Sequence, residues 1–206
     1  MTITPATVLT LFRLALTPFF VVFLLWAGDR GATTEAVRWL WIASGIFVVA
    51  ALTDTVDGYL ARRTGTVTRA GRILDPLADK LLVGSAYVSF LVLGLPSVKA
   101  WMVGSILARE VFVTGFRSFA GHRGVTIHSS PFGKWKTTLQ MGLVFILLTI
   151  MSVRAASDPT PSYWMHPQDP LAGAALYGGL LLTTVVTLLS GFDYFWKNRA
   201  LLKGGA

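Results

Sequence analysis

Residues 54–80 read DTVDGYLARRTGTVTRAGRILDPLADK, with four aspartates in 27 residues and long apolar runs on either side. Asp54 and Asp57 are three apart and Asp75 and Asp79 four apart, so each pair shares one face of a helix. If the flanking runs are membrane helices, the basic connection between them makes them antiparallel neighbours. All four carboxylates then converge at one membrane surface. This stretch predicts two spans joined at a polar site, and the rest of the chain can be read outward from it.

The 206 residues are 53% hydrophobic and only 14% charged, which points to an integral membrane protein rather than a soluble domain. Apolar runs long enough for ~30 Å of hydrocarbon, about 20 residues each, recur at Thr7–Trp26, Arg38–Asp57, Asp75–Leu95, Val98–Phe119, Gly133–Val153 and Leu171–Trp196. The expected fold is all-α: a six-transmembrane-helix bundle forming a single domain over 1–206, without internal repeats. The N-terminal run lacks a basic flank and a small-residue cleavage site, so it reads as a retained helix. There is no cysteine, which excludes disulfides and thiolate chemistry.

The basic residues orient the bundle. With the N-terminus cytoplasmic, the inner segments carry Arg62, Arg63, Arg69, Arg72, Arg117, Arg123, Lys134, Lys136, Lys197, Arg199 and Lys203; the outer ones carry Arg30, Arg38, Lys99 and Arg154. Eleven against four is a positive-inside pattern that puts both termini in the cytoplasm. It also accounts for most of the +8 net charge without nucleic acid. The seven tryptophans fall near span ends or in loops, as an aromatic belt requires. His122, His128 and His166 lack metal-ligand spacing and carry no expected role.

Four carboxylates in one place repel and raise one another's pKa values unless cations separate them. Oxygen ligands without imidazole or thiolate suit Mg²⁺ or Mn²⁺. Taken singly, Asp75 before Pro76 is also a candidate helix N-cap, and Asp54 or Asp57 a candidate ion pair with Arg62 or Arg63. Gly58, Ala61 and Gly71 keep the space between the pairs small-sided, and Arg62 lies one turn from the aspartates, placed for a phosphate. Carboxylates, small residues and an arginine together suit a diphosphate–metal complex and phosphoryl transfer.

The pattern Asp54-x₂-Asp57-Gly58-x₂-Ala61-Arg62-x₈-Gly71-x₃-Asp75-x₃-Asp79 resembles, at every position, the signature of the CDP-alcohol phosphotransferase family. The resemblance implies six transmembrane helices, two metal ions held by Asp54, Asp57, Asp75 and Asp79, and Asp79 as the base on the acceptor hydroxyl. It also implies a CDP site of Asp54, Gly58, Ala61, Arg62 and Gly71, and a homodimer.

The acceptor is read from AREVFVTGFRSFAG, residues 108–121, and GKWKTTLQM, residues 133–141. Arg109 and Glu110 lie well inside the fourth span, where charge needs a partner or a wet cavity. Glu110 and Arg117, seven apart, share a face. The charges fit either a structural ion pair or a cavity for an anionic substrate. Lys134 and Lys136 fit either positive-inside anchors or further ligands of that anion.

Both stretches, with TVLTLFRLALTPFF (residues 7–20), are similar to the phosphatidylglycerophosphate synthase branch of the family. That likeness implies CDP-diacylglycerol as donor and glycerol 3-phosphate as acceptor, its phosphate on Arg109, Arg117, Lys134 and Lys136. It further implies a bacterial cytoplasmic membrane with the site facing the cytoplasm. The chain departs from the branch at Thr4-Pro5-Ala6-Thr7, where an Asn-x-Pro-like entry is usual. The same signature would serve inositol phosphate, serine or phosphatidylglycerol as acceptor. A divalent-cation transporter would also gather aspartates, but near the midplane on broken helices and without arginines beside them.

Overall fold

A computed structural model describes residues 5–30, 33–64, 71–122, 131–158 and 170–199; within these, the side chains of 5–7, 54–64, 71–76, 79, 121–122 and 131–134 lie outside the description. Six helices follow one another: α1 Pro5–Asp29, α2 Thr34–Thr64, α3 Gly71–Val92, α4 Ala100–His122, α5 Pro131–Ser157 and α6 Pro170–Asn198. Each coincides with one expected run and most outlast it. α2 continues seven residues past Asp57, carrying Gly58, Ala61 and Arg62 on helical backbone.

Local chemistry sets the ends. α1, α5 and α6 begin on proline, whose missing N–H costs nothing in the first turn. Thr33 caps α2 through its hydroxyl, 3.4 Å from the Ala36 amide. α3 stops in a Schellman turn: Leu95 N donates to Phe90 O (3.2 Å), Gly94 N donates to Leu91 O (3.0 Å), and Gly94 takes φ +73°. A side chain at position 94 would be strained in that left-handed conformation.

Among the described residues, four helical segments are long and apolar enough to cross a membrane: Val8–Asp29, Thr34–Thr53, Trp135–Ser157 and Pro170–Asn198. The other two helices are interrupted by charge. Any 18 consecutive residues of α4 include Arg109, Glu110 and Arg117, and the described apolar part of α3 begins only at Lys80.

α1 packs on α2 and α3, α2 on α5, α5 on α6, α6 on α4 and α4 on α3, with α3 also touching α2 and α5. Phe20, Leu24, Phe47, Leu82, Phe90 and Leu148 are among the buried core. The outside is equally apolar: Phe19, Trp41, Val111, Leu171, Leu189 and Phe192 all stand exposed. An apolar surface around an apolar core suits lipid, not water.

Polar groups turn inward instead. Ser44 and Ser152 share a 3.1 Å hydrogen bond between α2 and α5. On α6, Thr183, Thr184 and Thr187 donate to the carbonyls one turn back, at 2.7–2.8 Å, so their burial leaves no hydroxyl unpaired.

Candidate active site

The aspartate motif occupies two helix ends. Positions 54, 57, 58, 61 and 62 are helical in α2, and 71, 75 and 79 are helical in α3, which packs against it. The intervals of three and four therefore fall on true helical turns. Asp75 stands four residues inside α3, so the helix does not begin on it. The side chains of Asp54, Asp57, Gly58, Ala61, Arg62, Gly71, Asp75 and Asp79 lie outside the description. Among the described residues no group of three or more His, Asp or Glu is placed to hold a metal ion.

The turn before Asp54 is tied down. Ala50 O accepts from Thr53 Oγ1 at 2.7 Å and from Arg13 Nε at 3.2 Å. Arg13 is fully buried in α1. It thus anchors the last turn of α2 that precedes the carboxylates.

A second constellation begins one residue after Asp79. Lys80 from α3, Arg109 from α4 and Lys136 from α5 all meet the carboxylate of Glu110. Lys136 Nζ pairs with Oε1, Arg109 Nη1 lies 3.2 Å from the same oxygen, and Lys80 Nζ lies 3.8 Å from Oε2. Lys80 also bonds to Thr114 Oγ1. The side chains of Arg109, Lys136 and Glu110 are only 9%, 7% and 12% exposed, so these three are held largely away from water, while Lys80 is 28% exposed. Arg109 and Lys136 thus share one carboxylate in a poorly solvated place, where burying charge is costly without a partner.

α6 supplies the backing. Arg109 Nη2 donates to Ser190 Oγ at 2.7 Å. A Cβ on Gly191 would come 2.9 Å from Arg109 Cγ and 3.3 Å from its Nε, so the absent side chain is what lets the arginine pass. Arg109 Nε itself is buried without a hydrogen-bond partner. Gln140 Nε2 donates to Thr187 Oγ1 at 3.2 Å, and Tyr87 Oη to Gln140 O at 3.3 Å. Between these groups lies a cavity of about 20 Å³, lined by Lys80, Glu110, Lys136, Thr137 and Gln140 with Val83, Gly84, Ile106 and Leu107. That is room for a water, not for a phosphate.

Of the residues proposed for an acceptor's phosphate, Arg109 and Lys136 are brought together. Arg117 stands apart: it is exposed, its guanidinium 5.9 Å over the Tyr194 ring. Seven residues restore the same helix face but also add about 10 Å of rise, enough to leave Arg117 outside the Glu110 cluster. The Lys134 side chain lies outside the description. Lys80, Gln140, Thr187, Ser190 and Gly191 join the constellation unannounced. A charge next to Asp79 within an apolar run was the available signal for Lys80; the α6 residues offered none.

The family model described as CDP-alcohol phosphatidyltransferase matches residues 3–189. Three bacterial relatives bear the name CDP-diacylglycerol–glycerol-3-phosphate 3-phosphatidyltransferase. The Bacillus subtilis protein is 37% identical over 199 residues, covering 95% of both chains. That of Cereibacter sphaeroides is 33% identical over 95% of this chain and 96% of its own. That of Escherichia coli K12 is 37% identical over 94% of each.

Proposed function

The chain belongs to the CDP-alcohol phosphatidyltransferase family, and on that footing we propose that it transfers the phosphatidyl group of CDP-diacylglycerol to glycerol 3-phosphate, yielding phosphatidylglycerol phosphate and CMP. The observation that carries the choice of acceptor is the convergence of Lys80, Arg109 and Lys136 from three helices, directly after Asp79. A serine or free polyol acceptor would bring no phosphate to neutralise those charges. The relatives' shared name agrees with this reading.

Asp54, Asp57, Asp75 and Asp79 form an all-carboxylate set on helical backbone, a donor chemistry that fits two hard divalent cations, Mg²⁺ or Mn²⁺. Bound there, such ions would neutralise the diphosphate and the charge that develops on the attacking and leaving oxygens. Gly58, Ala61 and Gly71 leave room beside the carboxylates for CDP, and Arg62 binds its phosphate. Arg109 and Lys136, with Lys80, hold the acceptor's phosphate; Lys134 and Arg117 extend the basic approach to it. Asp79 takes the proton of the acceptor hydroxyl as that oxygen bonds to the β-phosphorus and the phosphorus–oxygen bond to CMP breaks. Lys80 next to Asp79 keeps the acceptor's anchored end and its reacting hydroxyl within one small molecule's reach.

All six helices cross the membrane in this reading, α3 and α4 with Lys80, Arg109 and Glu110 turned towards one another inside the bundle. Both termini and the site face the cytoplasm of a bacterial cell, and the enzyme works as a homodimer. The test is CMP release by purified protein from CDP-diacylglycerol and Mg²⁺, with glycerol 3-phosphate, inositol phosphate, serine and phosphatidylglycerol offered separately. Release with glycerol 3-phosphate alone is expected. Release only with another alcohol would remove the acceptor assignment and leave the aspartate chemistry standing.

A further inference from the structure

Glu110 sits between Lys136 and Arg109, and among the described residues the cavity beside it is too small for a phosphate. Its Oε1 bridges Lys136 and Arg109 while Oε2 faces Lys80, the way a phosphate's oxygens would be shared among the same three cations. Arg109 reaches Glu110 through Nη1, while its Nη2 is held by Ser190 of α6. The cavity of about 20 Å³ is lined by Glu110, Lys80 and Lys136 themselves. For a phosphate to enter, something must yield. The group of like charge, competing for the same donors, is the one that repulsion displaces.

We propose that the Glu110 carboxylate is an internal stand-in for the acceptor's phosphate, holding Lys136 and Arg109 in the free enzyme and giving them up when a phosphate monoester arrives. This rests on reading the cluster as the acceptor's phosphate site. Glu110 keeps the buried Lys136 and Arg109 paired between turnovers, and it makes every acceptor compete with a built-in anion. Affinity for the acceptor is lowered by the fraction of time the stand-in is in place. Uncharged alcohols cannot displace it, so Glu110 also favours phosphate-bearing acceptors.

The test uses the full chain in detergent with Mg²⁺ and compares wild type with Glu110→Gln, which keeps the shape and removes the charge. Binding of glycerol 3-phosphate, inorganic phosphate and CDP is read by thermal shift, and KM for glycerol 3-phosphate by CMP release. If Glu110 is in place nine-tenths of the time, both phosphate monoanion–dianion probes bind about tenfold more tightly to the variant. CDP binds both proteins alike. Unchanged or weaker binding of both probes overturns the proposal, and so does an equal tightening for CDP. A variant recovered folded only in glycerol 3-phosphate or phosphate supports it, since the ligand then replaces the missing counter-ion. A variant that neither ligand rescues overturns it. If wild-type protein releases no CMP with glycerol 3-phosphate, the acceptor assignment fails instead, a separate result.

Discussion

Gly191→Ala isolates the part played by α6. The new Cβ would stand 2.9 Å from Arg109 Cγ, 3.3 Å from Nε and 3.7 Å from Cδ. Cγ is near the root of the side chain, so relief requires rotating the whole arginine away from Ser190 Oγ, now at 2.7 Å, and from Glu110. Overpacking of this kind costs about 1–3 kcal/mol, and a lost hydrogen bond to a charged group about 1.5–3 kcal/mol. If the shift falls on acceptor binding, roughly 1.5–3 kcal/mol raises KM for glycerol 3-phosphate by about 10–150-fold.

Gly178→Ala on the same helix is the control: nothing lies within 4 Å of its Cβ. Alanine there gains up to about 1 kcal/mol of helix propensity, so stability is unchanged or improved and KM holds. The assay is CMP release against glycerol 3-phosphate at saturating CDP-diacylglycerol, with the melting temperature followed alongside. An unchanged KM in folded Gly191→Ala would refute the view that α6 positions Arg109 for the acceptor.

Asp79→Asn should lower kcat by about 10²–10⁴-fold, the usual worth of a general base, while the melting temperature holds; turnover near wild type would remove Asp79 from that role. Lys136→Ala should raise KM for glycerol 3-phosphate by about 10-fold or more through loss of a charged hydrogen bond, with CDP affinity unaltered; a matching loss of CDP affinity would relocate Lys136 to the donor site. Chelation should abolish CMP release, and CDP should raise the melting temperature only with Mg²⁺ or Mn²⁺ present, which differential scanning fluorimetry can follow.

The helices were legible because an apolar run of bilayer length leaves few alternatives, and the aspartate intervals because they repeat the helical turn. The helix ends were less so. α2 runs on to Thr64 through polar residues that hydropathy assigns to a loop, since helical hydrogen bonding does not stop where lipid does. Arg109 was singled out by asking what a charge does inside an apolar run, and Lys136 as a basic residue at the cytoplasmic start of the fifth span. Arg117 was grouped with them because angular spacing ignores the rise along the axis. Ser190 and Gly191 stayed hidden for another reason. Small residues are common in membrane helices, and nothing local marks the pair that meets an arginine 81 residues earlier.

The charges that interrupt α4 also bear on how the protein is made. At the centre of a bilayer each Arg, Lys or Asp costs about 2.5–3.5 kcal/mol during translocon-mediated insertion, and α4 carries Arg109, Glu110 and Arg117 in one stretch. Such a segment enters lipid poorly by itself. Its ion partners Lys80 and Lys136 flank it in chain order, on α3 just before and α5 just after. Of the three charges on α4, Glu110 thus receives a lysine from the helix on either side of it in the chain, so its carboxylate is paired once α3, α4 and α5 have met.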